Sequence, residues 1–136
     1  LKDKGVKVFC FGNGWPEGPL NDLESVKLFS KSRINLGFAG VGHSRKLMCL
    51  KGRDFEVPMS GGLYLTQLNP ELSLVFNIDN DIVTYKDDQD CYNKIMWLLQ
   101  NPDISSSIRK NGRERALKDH TWEKRFDEIF SIAGFI

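Results

Sequence analysis

The sequence predicts an α/β fold in which helices cover both faces of an open, mainly parallel sheet. Short apolar runs alternate along the chain with segments whose apolar residues recur every three or four positions. The runs are rich in β-branched and aromatic residues, and loops containing glycine, proline or asparagine separate them from the helical segments. Strands that alternate with helices pair in parallel, so these observations together predict the open sheet.

Length and composition fit one soluble globular domain that spans residues 1–136. Of the 136 residues, 40% are hydrophobic and 27% are charged. A net charge of +1 argues against a nucleic-acid surface, because such surfaces need a clustered excess of Lys and Arg. No apolar run approaches the roughly twenty residues that cross a bilayer, and no signal peptide opens the chain. We therefore expect neither a nucleic-acid partner nor a transmembrane segment.

The cysteines and the first residue bear on location and completeness. Cys10, Cys49 and Cys91 are odd in number and lack a CxxC spacing, which predicts buried free thiols in a reducing cytoplasm. The chain begins at Leu1 and not at a methionine, which indicates a fragment of something longer. We therefore expect a cytoplasmic domain that is incomplete at its N-terminus.

The first forty residues predict two strands and a helix. A strand over residues 6–11 ends at a Gly-Asn-Gly turn, and a proline-containing loop leads to a helix capped by Asn21. Glu24 falls at the third helical position, as in a capping box. The apolar residues of this helix are Leu23, Val26 and Phe29. Residues 34–38 form the next predicted strand, and a polar loop follows over residues 39–46.

The rest of the chain predicts two more strands, a short helix over residues 70–76 and three longer helices in the C-terminal third. The strands are expected over residues 63–66 and 82–85. Asp87 or Asp88 caps a helix, Pro102 opens the next, and Thr121 caps the last. The residues expected to face inward on these three helices are Cys91, Ile95, Leu98, Leu99, Ile104, Ile108, Leu117, Trp122, Phe126, Ile129 and Phe130. We also expect His120 to anchor the last helix in the core.

The segment over residues 51–58 is the most informative about function. It places Lys51, Arg53 and Glu56 on a short helix-like stretch. A Gly-Gly pair then turns the chain from this stretch into the next strand. In a helix, Arg53 and Glu56 are three apart and share a face. The fork of an arginine suits a phosphate, and a carboxylate suits a sugar diol because it accepts from two hydroxyls at once.

The position of this segment in the fold favours a ligand site, although a plainer interpretation stands beside it. Ligands of open α/β sheets bind outside the carboxyl ends of the strands, at loops that lead into helices. The loop over residues 39–51 leads into this segment, so its charged groups and free N–H groups could converge on one anion. The alternative is a solvated Arg53–Glu56 ion pair, which contributes roughly a few tenths of a kcal/mol.

Two further residues of the same loop, His43 and Arg45, are candidates for contact with a phosphate or a transferred sugar. A lone loop histidine is more often only solvated, whereas an extra cation beside a diphosphate is useful. Acidic pairs at residues 79–81 and 88–90 imitate a metal-binding Asp-x-Asp motif. A turn and a helix N-terminus already explain them, so we predict no metal site.

Four motifs carry a family resemblance. They are KGRDFEVP at residues 51–58, Gly61-Gly62, NPEL at residues 69–72 and HTWEKR at residues 120–125. In this order and spacing they resemble the C-terminal domain of CgeB-like, spore-maturation-type glycosyltransferases, and the resemblance covers nearly the whole chain. It implies the GT-B fold, in which two Rossmann-like domains face each other across a cleft and the C-terminal one holds the nucleotide-sugar.

The resemblance also implies roles for individual residues. Glu56 matches the glutamate that binds the ribose hydroxyls, and Arg53 and Lys51 match basic positions near the diphosphate. Gly61 and Gly62 match the turn behind that helix. Fixed cations can stabilise a departing nucleoside diphosphate without a metal, so the expected ligand is a nucleotide-sugar such as a UDP-sugar, with no cofactor.

The resemblance leaves the catalytic residue unassigned. Related retaining transferases carry an earlier glutamate eight positions before the ribose-binding one, and Met48 occupies that position here. The implied function is a glycosyltransferase domain that binds the donor, with its acceptor-binding domain in the N-terminal part of the full-length protein. The alternatives are a non-catalytic regulatory or nucleotide-binding α/β module and a sugar-nucleotide epimerase of the GT-B fold.

Overall fold

The computed structural model describes residues 1–42, 44 and 47–135 and confirms the predicted α/β architecture. Its helices and strands in chain order are α1 (Asp22–Lys31), β1 (Asn35–Gly37), α2 (Gly52–Met59), β2 (Tyr64–Gln67), β3 (Val83–Tyr85), α3 (Asp88–Gln100), α4 (Pro102–Asp119) and α5 (Trp122–Ile132). Two 3₁₀ turns lie at Lys2–Lys4 and Pro70–Leu74.

The sheet has three strands in the order β1-β2-β3, and both neighbouring pairs are parallel. Leu65 of the central strand lies opposite Leu36 on one side and Val83 on the other. Because all three strands run in one direction, their carboxyl ends at Gly37, Gln67 and Tyr85 meet at one edge. The arrangement is a Rossmann-like half-domain with an open sheet.

Each face of the sheet has its own apolar core. One core packs the strands against α3 and contains Leu63, Leu65, Val83, Tyr85, Cys91, Ile95, Leu98 and Ile108. The other packs them against α2, the Pro70–Leu74 turn and α4, and contains Val57, Tyr64, Leu72, Val75, Phe76, Ile82 and Ala116. Successive residues of a strand point to opposite faces, so the central strand serves both cores.

The predicted helix starts are confirmed at α1, α3 and α5. Asn21 and Glu24 form the capping box of α1, with bonds of 2.9 Å in both directions. Asp87 accepts from the Asp90 N–H at 2.8 Å, and Thr121 accepts from the Lys124 N–H at 3.3 Å. Helix α4 starts at Pro102 as predicted, but the Asn101 side chain donates to the Trp97 carbonyl at 2.8 Å and does not cap it.

The strand predicted over residues 6–11 is wrong. None of these residues belongs to a strand, and β1 pairs with β2 alone among the described strands. Side-chain exposure still alternates along the segment: Val6, Val8 and Cys10 are half-buried, whereas Lys7 and Phe9 are exposed. β-branched and aromatic residues favour extended backbone, but a strand also needs a neighbour that supplies ladder hydrogen bonds.

The inward faces predicted for α4 and α5 need correction. Ile104 and Leu117 are 43% and 47% exposed, and the buried residues of α4 are Ile108, Gly112 and Ala116. A Cβ atom on Gly112 would overlap the carbonyl oxygen of Asp81. This close approach turns Gly112 inward. At about 100° per residue, Ile108 and Ala116 lie about 40° from it around the helix, whereas Ile104 and Leu117 lie about 80° and 140° away.

Helix α5 is amphipathic but lies outside both cores. Trp122 is 77% exposed, and none of the helix residues, all of which are described, is buried. The prediction that Trp122 packs into the core is therefore wrong. His120, as predicted, anchors the start of the helix: its Nε2 lies 2.8 Å from the Val75 carbonyl oxygen, and its ring contacts those of Phe55 and Phe76 edge-on.

The three cysteines are free, and they differ in burial. Cys91 is buried in the core under α3, whereas Cys10 and Cys49 are half-buried. Burial raises the pKa of the Cys91 thiol, and the negative charges of Asp88 and Asp90 raise it further. No helix of the described chain is long and apolar enough to cross a membrane.

Cys91 should therefore be the least reactive thiol of the folded protein. We expect iodoacetamide to alkylate it on the order of tenfold more slowly than Cys10 or Cys49, because the thiolate is the nucleophile and burial disfavours it. Peptide mass spectrometry after timed labelling gives the three rates. Labelling in urea is the control, since the three rates should then converge; equal rates in the folded protein would contradict the buried position.

Candidate functional site

The candidate site lies where α2 begins, at the carboxyl edge of the sheet. The chain leaves β1 and folds back on itself: the Val41 N–H donates to the Leu47 carbonyl at 3.0 Å, and the Cys49 N–H donates to the Ala39 carbonyl at 3.2 Å. An isolated antiparallel bridge between Gly40 and Met48 lies between these bonds. This return brings Lys51 back to the end of β1, so α2 begins beside the edge where α/β domains bind ligands.

Helix α2 begins without a side-chain cap. Its N-cap residue is Lys51, whose ammonium has no acceptor to offer the first turn. The Lys51 N–H itself donates to the Asp54 carboxylate at 2.7 Å, and the Asp54 N–H donates to the Lys51 carbonyl at 3.0 Å. Within the described chain, the N–H groups of Gly52 and Arg53 have no hydrogen-bond partner. Two free amides at the positive end of a helix suit an anion.

Lys51 contributes a cation that is held in place. Its Nζ donates to the carbonyl of Gly40 at 2.7 Å, and the residue is half-buried. The ammonium carries three protons, so one bond to Gly40 leaves two for a ligand. The same bond ties the returning loop to the start of α2.

Arg53 and Glu56 lie on the exposed side of α2, as the three-residue spacing predicted. The Arg53 guanidinium stands over the ring of Phe29 at 5.9 Å, which steadies its stem against α1. The Glu56 carboxylate bends back toward the helix start, since a Cβ atom built on Gly52 would lie 3.1 Å from its Oε1.

Among the described residues, neither Arg53 nor Glu56 forms an ion pair within 4.0 Å; the ion pairs found there involve other side chains, on α3, α4 and α5. The alternative of an Arg53–Glu56 surface pair is therefore not what the structure has. An unpaired cation and an unpaired carboxylate on one exposed face leave both groups available to a ligand.

Gly61 and Gly62 lie at the opposite end of α2. The Gly62 N–H donates to the Val57 carbonyl at 2.9 Å and the Gly61 N–H to the Pro58 carbonyl at 2.8 Å, which is a Schellman motif. Gly61 has φ +77°, and a Cβ atom on Gly62 would lie 2.8 Å from the Phe29 carbonyl oxygen. The α2 helix has eight residues and so spans roughly 12 Å, which separates this turn from Lys51.

The sequence analysis missed two residues beneath the site, Asp54 and Tyr64. Asp54 is 4% exposed and Tyr64 is 2% exposed. The Tyr64 hydroxyl donates to the Asp54 Oδ1 at 2.7 Å, while the other carboxylate oxygen accepts from Lys51. A signal was present: Asp54 stands three residues after the N-cap, where a carboxylate reaches back to the N-cap amide.

The remaining candidates divide into two groups. His43 and Arg45 lie outside the residues that the structure describes, so their contact with a ligand stays a prediction. The acidic pairs have local partners: Asp81 accepts from the Asn77 N–H at 2.9 Å, and Asp90 accepts from the Lys86 N–H at 2.9 Å. In the described part of the chain, no three His, Cys, Asp or Glu side chains gather as a metal site would require.

The side chains at the start of α2 stand on open surface. Two grooves of the protein lie elsewhere, one of about 440 Å³ beside β3 and α3 at Val83 and Trp97, the other of about 190 Å³ between Arg33 and Arg109. Gly52, Arg53 and Glu56 are exposed, and we refer to the arrangement at the start of α2 as the charged ledge.

The fold and this ledge define a Rossmann-like half-domain with an uncapped helix start at the ligand-binding edge of its sheet. The chain belongs to the glycosyl transferase-like family, whose model matches residues 1–131. No curated protein and no solved structure matches it significantly. The protein is therefore a domain of the glycosyltransferase type, and the match spans every element described above except the last residue of α5.

Proposed function

We propose that this domain binds a nucleoside-diphosphate sugar at the start of α2 and presents the sugar for transfer to an acceptor. Family membership supports the glycosyl transfer. The single observation that carries the binding site is the placement, in the first turns of one helix, of two N–H groups without partners among the described residues, the cations of Lys51 and Arg53, and the Glu56 carboxylate. The closer assignment, which the motifs at residues 51–58 and 120–125 support, is the C-terminal domain of a CgeB-like GT-B transferase.

The diphosphate is the part of the donor that the free amides and cations suit. Transfer of the sugar breaks its bond to the diphosphate, and negative charge develops on the departing phosphate oxygen. Amide dipoles and an ammonium already fixed by Gly40 need no rearrangement to stabilise that charge. Arg53 adds a fork that two phosphate oxygens can accept from, and the proposal therefore requires no metal.

The ribose is the part of the donor that Glu56 suits. A carboxylate can accept from the 2′ and 3′ hydroxyls together. Because Oε1 of Glu56 bends toward Gly52, the diol site would lie next to the diphosphate site, as the linear order of a nucleotide requires. Gly61 and Gly62 stand at the other end of α2, so in this proposal they fix the helix through its closing turn and do not contact the donor.

A second domain is part of the proposal. In this proposal the charged ledge at the start of α2 forms one wall of a cleft. An acceptor-binding domain in the N-terminal part of the full-length protein forms the other wall. Helix α5 supports such a neighbour, since its exposed aromatic residues, among them Trp122 and Phe126, stack on one another and face outward. We place this two-domain enzyme in the cytoplasm, where nucleotide-sugars are made.

Titration calorimetry of the protein with UDP, GDP and their sugars tests donor binding. We expect one of these nucleotides to bind, and we expect its dissociation constant to change less than about twofold when EDTA replaces magnesium or manganese, because amides and fixed cations carry the contact. Adenosine, which lacks phosphate, is the control and should not bind. Failure of every nucleotide to bind would overturn the site, and a strict need for a metal would overturn its metal-free chemistry.

A further inference from the structure

We propose that Asp54 and Tyr64 form a buried positioning pair, which holds the start of α2 in the orientation that ligand binding needs. The inference rests on the proposed function, because it assigns to these two residues the orientation of the donor site. Neither residue touches the ligand in this proposal. They act through Lys51, Arg53 and Glu56.

The pair closes a chain of short hydrogen bonds from the sheet to the helix start. Tyr64 belongs to the central strand and its hydroxyl reaches Asp54 Oδ1 at 2.7 Å. Asp54 Oδ2 accepts from the Lys51 N–H, also at 2.7 Å, and the Lys51 ammonium continues to the Gly40 carbonyl. Strand, helix and loop are thus joined through one buried carboxylate.

The sheet leaves room for the Tyr64 hydroxyl at one glycine. A Cβ atom on Gly37 would overlap that hydroxyl and would lie 2.6 Å from Thr66 Oγ1. Any other residue at position 37 would therefore displace the tyrosine from Asp54. The glycine, the tyrosine and the aspartate come from three elements, β1, β2 and α2, and fit together as one arrangement.

The geometry of a helix connects this buried pair to the exposed site. At about 100° per residue, Glu56 lies roughly opposite Asp54 around the helix axis, and Arg53 lies about 100° away from it. Fixing Asp54 inward therefore fixes the other two outward. Rotation of α2 about its axis is also unfavourable. It would move the Asp54 carboxylate away from Tyr64 and leave the Tyr64 hydroxyl buried without an acceptor.

Tyr64 is suited to be a permanent donor. Burial raises the pKa of its hydroxyl above the ordinary value, and the neighbouring Asp54 charge raises it further. The hydroxyl therefore keeps its proton at any pH at which the protein works. The Tyr64 hydroxyl is therefore a fixed donor to Asp54.

Tyr64→Phe removes the hydroxyl and nothing else, and Tyr85→Phe is the matched control. Tyr85 is also buried, and its hydroxyl donates to the Gly37 carbonyl at 2.8 Å, so both variants lose one buried hydrogen bond. We expect Tyr64→Phe to weaken nucleotide binding about tenfold and Tyr85→Phe to change it less than about twofold. In an Arg53→Ala, Glu56→Ala background, Tyr64→Phe should weaken binding less than tenfold, because Lys51 and the free amides are then the only site groups left for the pair to position.

Hydrogen exchange in the ligand-free protein tests the pair independently of any nucleotide. The Lys51 amide should exchange on the order of tenfold faster in Tyr64→Phe and in Asp54→Asn than in wild type, while the amides of α3 keep their rates. Equal affinities of the Tyr64→Phe and Tyr85→Phe proteins would overturn the positioning role, even if melting temperatures fall. A wild type that binds no nucleotide overturns the proposed function instead, and unchanged Lys51 exchange overturns the pair itself.

Discussion

Replacing Arg53 with alanine is expected to weaken the binding of a nucleoside diphosphate by roughly tenfold to a hundredfold, the usual range for a charge-assisted hydrogen bond. Among the described residues the guanidinium has no carboxylate partner, so its removal costs the folded protein little. The loss should therefore appear in the dissociation constant from calorimetry while the melting temperature stays nearly constant. Arg53→Lys should restore only part of the affinity, because an ammonium lacks the planar fork.

Glu56→Gln separates the ribose contact from the diphosphate contact. An amide accepts hydrogen bonds at one oxygen only, so the variant should bind UDP several-fold to about tenfold more weakly. Its affinity for 2′,3′-dideoxy-UDP should match that of wild type, because the diol is then absent from the ligand. An equal loss with both nucleotides would contradict the ribose assignment.

Lys110 and Glu114 supply the controls for both substitutions. They form an exposed ion pair on α4, at 3.9 Å, and they carry the same charges as the site residues. Lys110→Ala and Glu114→Gln change the net charge as the site variants do, and surface pairs of this kind contribute little to stability. If these controls weakened binding as much as Arg53→Ala does, the effect would be one of overall charge and the site at α2 would be wrong.

Gly112→Ala is expected to destabilise the protein by about 2 kcal/mol, the typical cost of overpacking. The position lies in the interior of α4, where alanine would ordinarily gain about 1 kcal/mol of helix propensity. The expected sign is opposite because the new Cβ would overlap the Asp81 carbonyl oxygen and approach its carbonyl carbon to 3.3 Å. Either α4 or the turn before β3 must then shift.

Urea denaturation followed by circular dichroism measures this loss. Ser106→Ala, on the exposed side of the same helix, is the control and should be neutral or slightly stabilising. A Gly112→Ala protein as stable as wild type would show that α4 does not pack on the Asp81 turn, and the rotation assigned to this helix would then be wrong.

Local rules predicted the helix starts well. The capping box of Asn21 and Glu24 and the capping oxygens of Asp87 and Thr121 depend on residues only three positions apart, so the sequence contains all the information. The strands at 63–66 and 82–85 were found within about one residue, since a short apolar run bounded by turn residues is typical of a buried strand.

Long-range contacts decided what local rules could not. Among the described strands, none pairs with the segment at residues 6–11, where a strand was expected. Trp122 lies on the apolar face of α5, but it is exposed in the structure. An apolar helix face predicts that the face is buried by some surface, and it does not predict that the described chain supplies that surface. Ile104 and Leu117 lie about 80° and 140° around α4 from Gly112, outside the face that this close contact turns inward.

The sequence by itself determined that this protein is an open α/β domain and that Lys51, Arg53 and Glu56 stand together at the start of one helix, because spacing along a helix fixes which side chains share a face. Only the tertiary structure decided that, within the described residues, Arg53 and Glu56 form no ion pair and the N–H groups of Gly52 and Arg53 have no partner. It also decided that Tyr64, from the neighbouring strand, anchors Asp54. Such facts depend on residues far apart in the chain meeting in space, and no local pattern records that meeting.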